Sequence, residues 1–205
     1  MKIGIILGSH RQNSQSRKVG EHIRKLIETT YASASVYVLD LAGNPLPLWD
    51  EGVWENSDEW LGLWSPVSAN LEACDGFVVI SPEWSGMVPA GLKNFFLLCS
   101  GELAHKPALI VSVSASSGGS YPVTELRISS YKNTRICYLP EHVIVRNVND
   151  VLNSFSTEEL SKEDEYTRTR LAYGVSLLVD YTKALGSVRT GDAYRNAPPS
   201  VRYGM

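Results

Sequence analysis

Cysteine is scarce in this chain: Cys74, Cys99 and Cys137 make an odd count of 3 with no close pair. That excludes a disulfide framework and a Cys-x-x-Cys redox or zinc pattern. The 4 histidines, His10, His22, His105 and His142, are scattered without metal-ligand spacing. Charge of one sign is also lacking. The 19 basic and 22 acidic residues leave a formal net charge of −3, which speaks against a surface built mainly to hold nucleic acid. No apolar run approaches a membrane span. The apolar stretch in 1–7 is cut short by Gly8, too soon for a signal peptide. A reducing, cytoplasmic setting is therefore expected. There is no internal repeat, no GxxxxGK-Ser/Thr loop, no GxGxxG fingerprint and no GxSxG elbow. Nucleoside triphosphate hydrolysis, the usual dinucleotide cradle and serine-hydrolase chemistry are disfavoured accordingly.

What is present suits one globular domain. Hydrophobic residues make up 43% and charged residues 20%, so disordered, collagen-like and coiled-coil readings fail for most of the chain. Short, near-continuous apolar bursts occupy 3–7, 36–39, 77–80, 108–113 and, more weakly, 143–145. Strands covered on both faces look like this. Helical spacing fills the gaps: Val19, Ile23, Leu26 and Ile27 in 17–29, then Trp60, Trp64, Val67 and Leu71, then 91–99 and 121–132. A long final helix carries Leu171, Val175, Leu178, Val179, Thr182 and Leu185, with Ser156 and Glu159 as its expected capping box. Five strands alternating with helices predict an α/β, three-layer, doubly wound sandwich around a five-stranded parallel sheet. The domain is expected to cover 1–185. Residues 186–205 read as a tail, either disordered or packed on a neighbouring subunit.

In such folds ligands bind at the carboxyl edge of the strands, which selects loops 8–16, 81–90 and 114–120. The first follows a strand and opens a helix. Its Ser9, Arg11, Ser14, Gln15 and Ser16 offer donors, and no acid repels an anion. Helix N-termini suit phosphate, and a terminal monophosphate fits best. Serine before a helix is also an ordinary cap. In the second loop, Pro82, Gly86 and Pro89 define the path and Trp84 offers a flat apolar face. In the third, Gly118 and Gly119 let backbone approach a ligand among Ser114, Ser116, Ser117 and Ser120. Phosphate donors, a flat aromatic and a close-approach loop on one edge suit a phosphorylated planar heterocycle, as flavin mononucleotide (FMN) is.

Three segments then carry a family likeness: GSHRQNSQSRKV at 8–19, SPEWSGMVPAGLKNFF at 81–96 and VSASSGG at 113–119. Over roughly 1–185 the chain resembles the NADPH-dependent FMN reductases, flavodoxin-like proteins that include quinone, azo-dye and chromate reductases. The resemblance implies that Ser9, Arg11, Ser14, Gln15 and Ser16 hold the FMN phosphate. It implies that Pro82, Glu83, Trp84, Ser85 and Gly86 border the isoalloxazine ring, with Ser116, Ser117, Gly118 and Gly119 at its edge. It implies an oxidoreductase passing hydride from NADPH or NADH to FMN and then to a quinone, azo compound, metal oxyanion or free flavin. No side-chain nucleophile is required, so no catalytic base is named. A homodimer or homotetramer is implied as well, with no nucleic-acid or membrane partner.

Two departures stand out. The family usually has Tyr-Asn where this chain has Trp84-Ser85, and Asp-Trp where it has Leu98-Cys99. Of the clustered tryptophans, Trp60 and Trp64 read as core, while Trp49 or Trp54 is expected to line a contact with a second subunit or that subunit's flavin site. A flavodoxin-like electron carrier is the alternative, although Arg11 and the mild charge speak against it. A phospho-receiver domain needs an aspartate ending the third strand, where Ser81-Pro82 stands instead.

Overall fold

The computed structural model describes residues 1–198 and Val201. The expected strands form one sheet: β1 (Lys2–Leu7), β2 (Ser35–Asp40), β3 (Gly76–Pro82), β4 (Pro107–Val113) and β5 (Cys137–Val145). All neighbours are parallel, in the order β2-β1-β3-β4-β5. Every residue of β3 and β4 is buried, which is why those two read as unbroken apolar runs. Side chains alternate across the sheet. Ile3, Ile5, Val78, Ile80, Leu109 and Val111 face a core completed by α1 (Gln15–Thr30) and α6 (Lys162–Thr190). Ile6, Phe77, Val79, Ala108 and Ile110 face a second core. That one is roofed by α3 (Asp58–Glu72), α4 (Ala90–Leu98) and α5 (Ser120–Ser129). The short α2 (Gly52–Glu55) and α7 (Asp192–Arg195) lie outside both layers' cores and bury no residue.

Three expectations are corrected. The fifth strand is much longer than 143–145. It is an edge strand, so Pro140 costs no ladder bond on a central neighbour, and a register shift between Ala108 and Ile110 absorbs the irregularity. The capping box at Ser156 and Glu159 does not form. Glu159 has φ 54°, outside the helical region, and Ser161 caps α6 instead, its Oγ accepting from the Asp164 N–H at 3.1 Å. The break expected at 186 falls inside α6, which continues to Thr190. Arg189 anchors that end, 3.5 Å from Asp75 and donating to the His105 carbonyl at 3.4 Å. Tyr194 then meets the His105 ring edge-on at 5.3 Å. Pro199, Arg202 and Tyr203 of the expected tail lie outside the described residues.

Candidate functional site

The chain steps from β1 out to β2 through α1, then crosses back to β3 through α3. The crossovers leave β1 in opposite directions, so a crevice opens between the β1 and β3 ends. Gly8 closes its floor, donating to the Ile80 carbonyl at 2.8 Å. The three shortlisted loops follow β1, β3 and β4 at this edge.

The first loop is rich in uncommitted donors. Ser9 is buried, and its Oγ accepts from the Arg11 N–H at 3.4 Å. Ser14 is the N-cap of α1, accepting from the Arg17 N–H at 3.2 Å. The ordinary-cap reading is thus correct for Ser14, whose hydroxyl hydrogen stays available. The Ser16 hydroxyl is buried without a hydrogen-bond partner among the described residues. The amides of Gln15 and Ser16 start the helix, so neither has a carbonyl four residues back to bond. Arg11 and Gln15 are exposed, while Arg17 turns away to an ion pair with Asp40. An orphaned buried hydroxyl, free first-turn amides and a guanidinium, with no carboxylate in 8–16, fit a phosphate monoester such as that of FMN.

The second loop is a closed device. Trp84 and Met87 exchange both backbone hydrogen bonds, at 3.1 and 2.9 Å. Ser85 and Gly86 between them have φ 50° and 74°, which is the two-residue I′ pattern. The turn holds Trp84 half-buried, and the His10 ring meets it edge-on, 4.3 Å between centroids at 80°. His10 was absent from the sequence-predicted set, although it lies inside the motif. Beyond the turn, the Val88 N–H donates to Glu125 at 2.7 Å, and Glu125 also pairs with Lys93. Burial alone pushes the Glu125 carboxyl up, but the Lys93 and Val88 bonds outweigh it and hold it below its ordinary value. Asn94 is buried and clamps the 47–49 segment, donating to the Pro47 carbonyl and accepting from the Trp49 N–H, both at 2.7 Å.

Glu83 ties the second loop to the third. Its carboxylate accepts from the Gly119 N–H at 2.6 Å. A Cβ on Gly118 would sit 2.8 Å from the same carboxylate, and one on Gly119, at φ 104°, would run into Ile144. Both glycines are therefore required by close packing. Pro82 is buried within β3, so it shapes the rim from beneath. Ser85, Ser116 and Ser117 are exposed at the mouth, with Gly86 and Gly118 partly so.

A further layer props the third loop from outside. The Ser116 and Ser114 carbonyls accept from the Asn147 and Val148 N–H groups, each at 3.1 Å. Arg146 Nε donates to the Ser117 and Gly118 carbonyls at 2.8 and 3.1 Å. Lys18 Nζ in turn binds the Val148 and Val151 carbonyls at 2.5 and 2.8 Å. Arg146 and Asn147 escaped the sequence reading because only three loops were shortlisted. The segment leaving β5 obeys the same edge rule and was open to the same argument.

A five-stranded parallel sheet in this order, with loops gathered at the switch point, defines a flavodoxin-like α/β fold. Solved structures agree on the fold: the flavoenzyme NAD(P)H:(acceptor) oxidoreductase FerB from Paracoccus denitrificans superposes with a TM-score of 0.65 at 20% identity. That alignment covers 89% of this chain and 97% of that one. The family model for NADPH-dependent FMN reductase matches residues 1–150, and the chain belongs to that family. Among relatives, the NAD(P)H-dependent FMN reductase LOT6 of Saccharomyces cerevisiae is 29% identical over 132 residues, covering 58% of this chain and 68% of that one. The NADPH azoreductase of a Bacillus species is 27% identical over 146 residues, covering 71% and 76%. This chain is an oxidoreductase that works with FMN and a reduced nicotinamide nucleotide. No helix among the described residues is long and apolar enough to cross a membrane.

Proposed function

We propose that the chain binds FMN at the β1–β3–β4 edge and oxidises NADPH or NADH for the benefit of a small acceptor. Bound FMN supplies a ring that takes up hydride from a reduced nicotinamide and hands on two electrons. The protein's part is to hold and orient. Ser9, Arg11, Ser14, Gln15 and Ser16 grip the phosphate. Trp84, Ser85 and Gly86 border one side of the ring and Ser116, Ser117, Gly118 and Gly119 the other. Glu83 and Pro82 act from behind, Glu83 by fixing the Gly119 amide and Pro82 by shaping the rim. One observation carries the reading: the buried Ser16 hydroxyl and the acid-free donor loop stand at the switch point, beside the Trp84 turn. Quinones, azo compounds, metal oxyanions and free flavin are the acceptor classes proposed. Quinone and azo reductases among the relatives support the first two. Absorption spectra of purified protein, followed by anaerobic titration with each nucleotide, test this. A yellow protein bleached by NADPH or NADH is expected. A colourless protein that ignores added FMN overturns it.

We also infer that the working form is a homo-oligomer, a dimer or tetramer, in a cytoplasmic setting. Leu61 and Leu63 of α3, Leu97 of α4 and Ile128 of α5 are exposed on one helical layer. Trp54 is 74% exposed, with Trp49 edge-on at 4.8 Å. Exposed apolar side chains gathered on one layer support an interaction face there. Trp60, by contrast, is buried, with its Nε1 on Asp50 at 2.7 Å. Trp54→Ala is expected to weaken association in sedimentation velocity. Unchanged oligomer size removes Trp54 from the contact.

A further inference from the structure

The sequence offers no pocket that separates NADPH from NADH. The structure holds an unassigned cleft beside the ring-edge loop. A cleft of about 180 Å³ lies between β5 and α6, lined by His142, Val143, Ile144, Arg146, Tyr166, Thr167 and Arg170. We propose that this cleft receives the adenosine 2′-phosphate of NADPH, with Arg146 as the residue that selects NADPH over NADH. The inference rests on the nicotinamide-oxidising reading above.

Arg146 is fixed rather than floppy. Its Nε is spent on the Ser117 and Gly118 carbonyls, which anchors the guanidinium plane at the rim. Both terminal nitrogens remain without a partner, and no carboxylate pairs with it, among the described residues. The neighbouring polar groups are already engaged. Arg170 pairs with Glu141 and donates to the His142 carbonyl at 3.3 Å. Glu163 accepts from the Asn147 side chain at 2.8 Å. Of the two arginines lining the cleft, Arg170 is thus paired with a carboxylate and Arg146 is not, among the described residues.

The chemistry of the lining favours a phosphate on a nucleoside. A guanidinium fork binds a phosphate dianion through paired, charge-assisted bonds. An NADH-selective pocket needs the opposite, a free carboxylate for the ribose 2′-hydroxyl, and Glu141 is occupied by Arg170. Tyr166 is exposed on the wall and gives adenine a flat face. The position suits the reach of the co-substrate. Adjacent strands are about 4.8 Å apart, so β5 lies roughly 10 Å from β3. Adenosine is the far end of a nucleotide whose nicotinamide must lie at the ring site.

The test uses FMN-loaded protein and the Arg146→Gln variant. Glutamine keeps an amide donor for the 117–118 carbonyls while removing the charge. Titration calorimetry with adenosine 2′,5′-bisphosphate and with adenosine 5′-monophosphate reads the site without turnover. The wild type is expected to prefer the bisphosphate by roughly tenfold, about the worth of one charge-assisted contact, and R146Q to lose that preference. In kinetics, the ratio of kcat/KM for NADPH to that for NADH falls by a similar factor in R146Q. General disturbance of the flavin loop lowers both values together and does not move the ratio. Flavin content by absorbance shows that the variant is folded and loaded. If the two adenosine ligands bind alike, or the ratio is unmoved in R146Q, the inference fails. If the yellow holoprotein oxidises neither nucleotide, the proposed function itself fails.

Discussion

The phosphate loop and the ring loops sit on one edge of one sheet, yet they are built on opposite plans. Residues 8–16 keep donors unspent: the Ser16 hydroxyl is buried without a partner and Arg11 stands free in solvent. In 83–87 and 114–119 the backbone and the Glu83 carboxylate are largely spent on the protein itself. Trp84 closes on Met87, Glu83 on Gly119, Ser114 on the Ser116 N–H at 3.2 Å, and Arg146 on two carbonyls. An anion brings its own charge and rewards unpaired donors. A flat ring rewards shape, and shape has to be held before the ring arrives. Changes on the ring side should therefore cost stability first and affinity second, and changes in the phosphate loop the reverse.

The largest effect is expected at Glu83. Glu83→Ala strips the partly buried Gly119 N–H of its charged acceptor. Urea unfolding of the FMN-free protein should show a loss of about 2 kcal/mol, the usual size for a bond to a charged group. Glu83→Gln retains an acceptor oxygen and recovers most of it. A Glu83→Ala protein as stable as wild type breaks the comparison outright, because the strut between the two loops is then idle.

Arg11→Ala is the mirror experiment. The side chain is exposed and bonds nothing in the described structure, so stability should stay within about 0.5 kcal/mol. FMN affinity, followed by quenching of flavin fluorescence, should fall roughly tenfold. Riboflavin, which lacks the phosphate, should bind both proteins equally. If riboflavin suffers as much as FMN, Arg11 is not reading the phosphate.

The two plans also explain what could be read without coordinates. The sheet was legible because buried parallel strands write continuous apolar runs, as in β3 and β4. The phosphate loop was legible because unspent donors must be encoded as Ser, Gln and Arg. Strand β5 was misjudged because an edge strand tolerates Pro140 and Glu141, which break the run. Glu83 is expected at the ring rim from its place in the motif, but its bond to Gly119, 36 positions away, is not readable there. Such long-range satisfaction leaves no local spacing to detect. Arg146 is the same case, visible only once β5 and the 117–118 carbonyls stand side by side.

Acid should loosen the propped side alone. Asp164 accepts from the Leu152 N–H at 3.0 Å and from Arg168 Nε at 3.0 Å, holding the segment whose Asn147 and Val148 support the third loop. Burial alone pushes its carboxyl up, but the Arg168 and Leu152 bonds outweigh this and hold it below its ordinary value. The folded state therefore binds this proton more weakly than the unfolded chain does. Its stabilisation is present above the unfolded value near 3.9 and is lost as pH falls through the lower folded value. Asp164→Asn should cost about 1 kcal/mol at neutral pH, with the two unfolding curves converging under acid. A constant gap down to the lowest pH assigns the effect to packing instead.

The finest test is at Ser85. The turn demands a positive φ there, 50°, and serine pays for it with no side-chain compensation, since its hydroxyl bonds nothing in the described structure. Asparagine adopts this region far more readily than other residues bearing a Cβ, and Asn-Gly is the favoured pair in I′ turns. Ser85→Asn should raise stability by about 0.5 kcal/mol. Because Ser85 is exposed at the mouth, the longer amide also reaches over the rim, so FMN affinity reports separately from stability. A gain in thermal midpoint with unchanged FMN affinity says that the position serves the turn. A gain in affinity at equal stability says that asparagine there touches the ring.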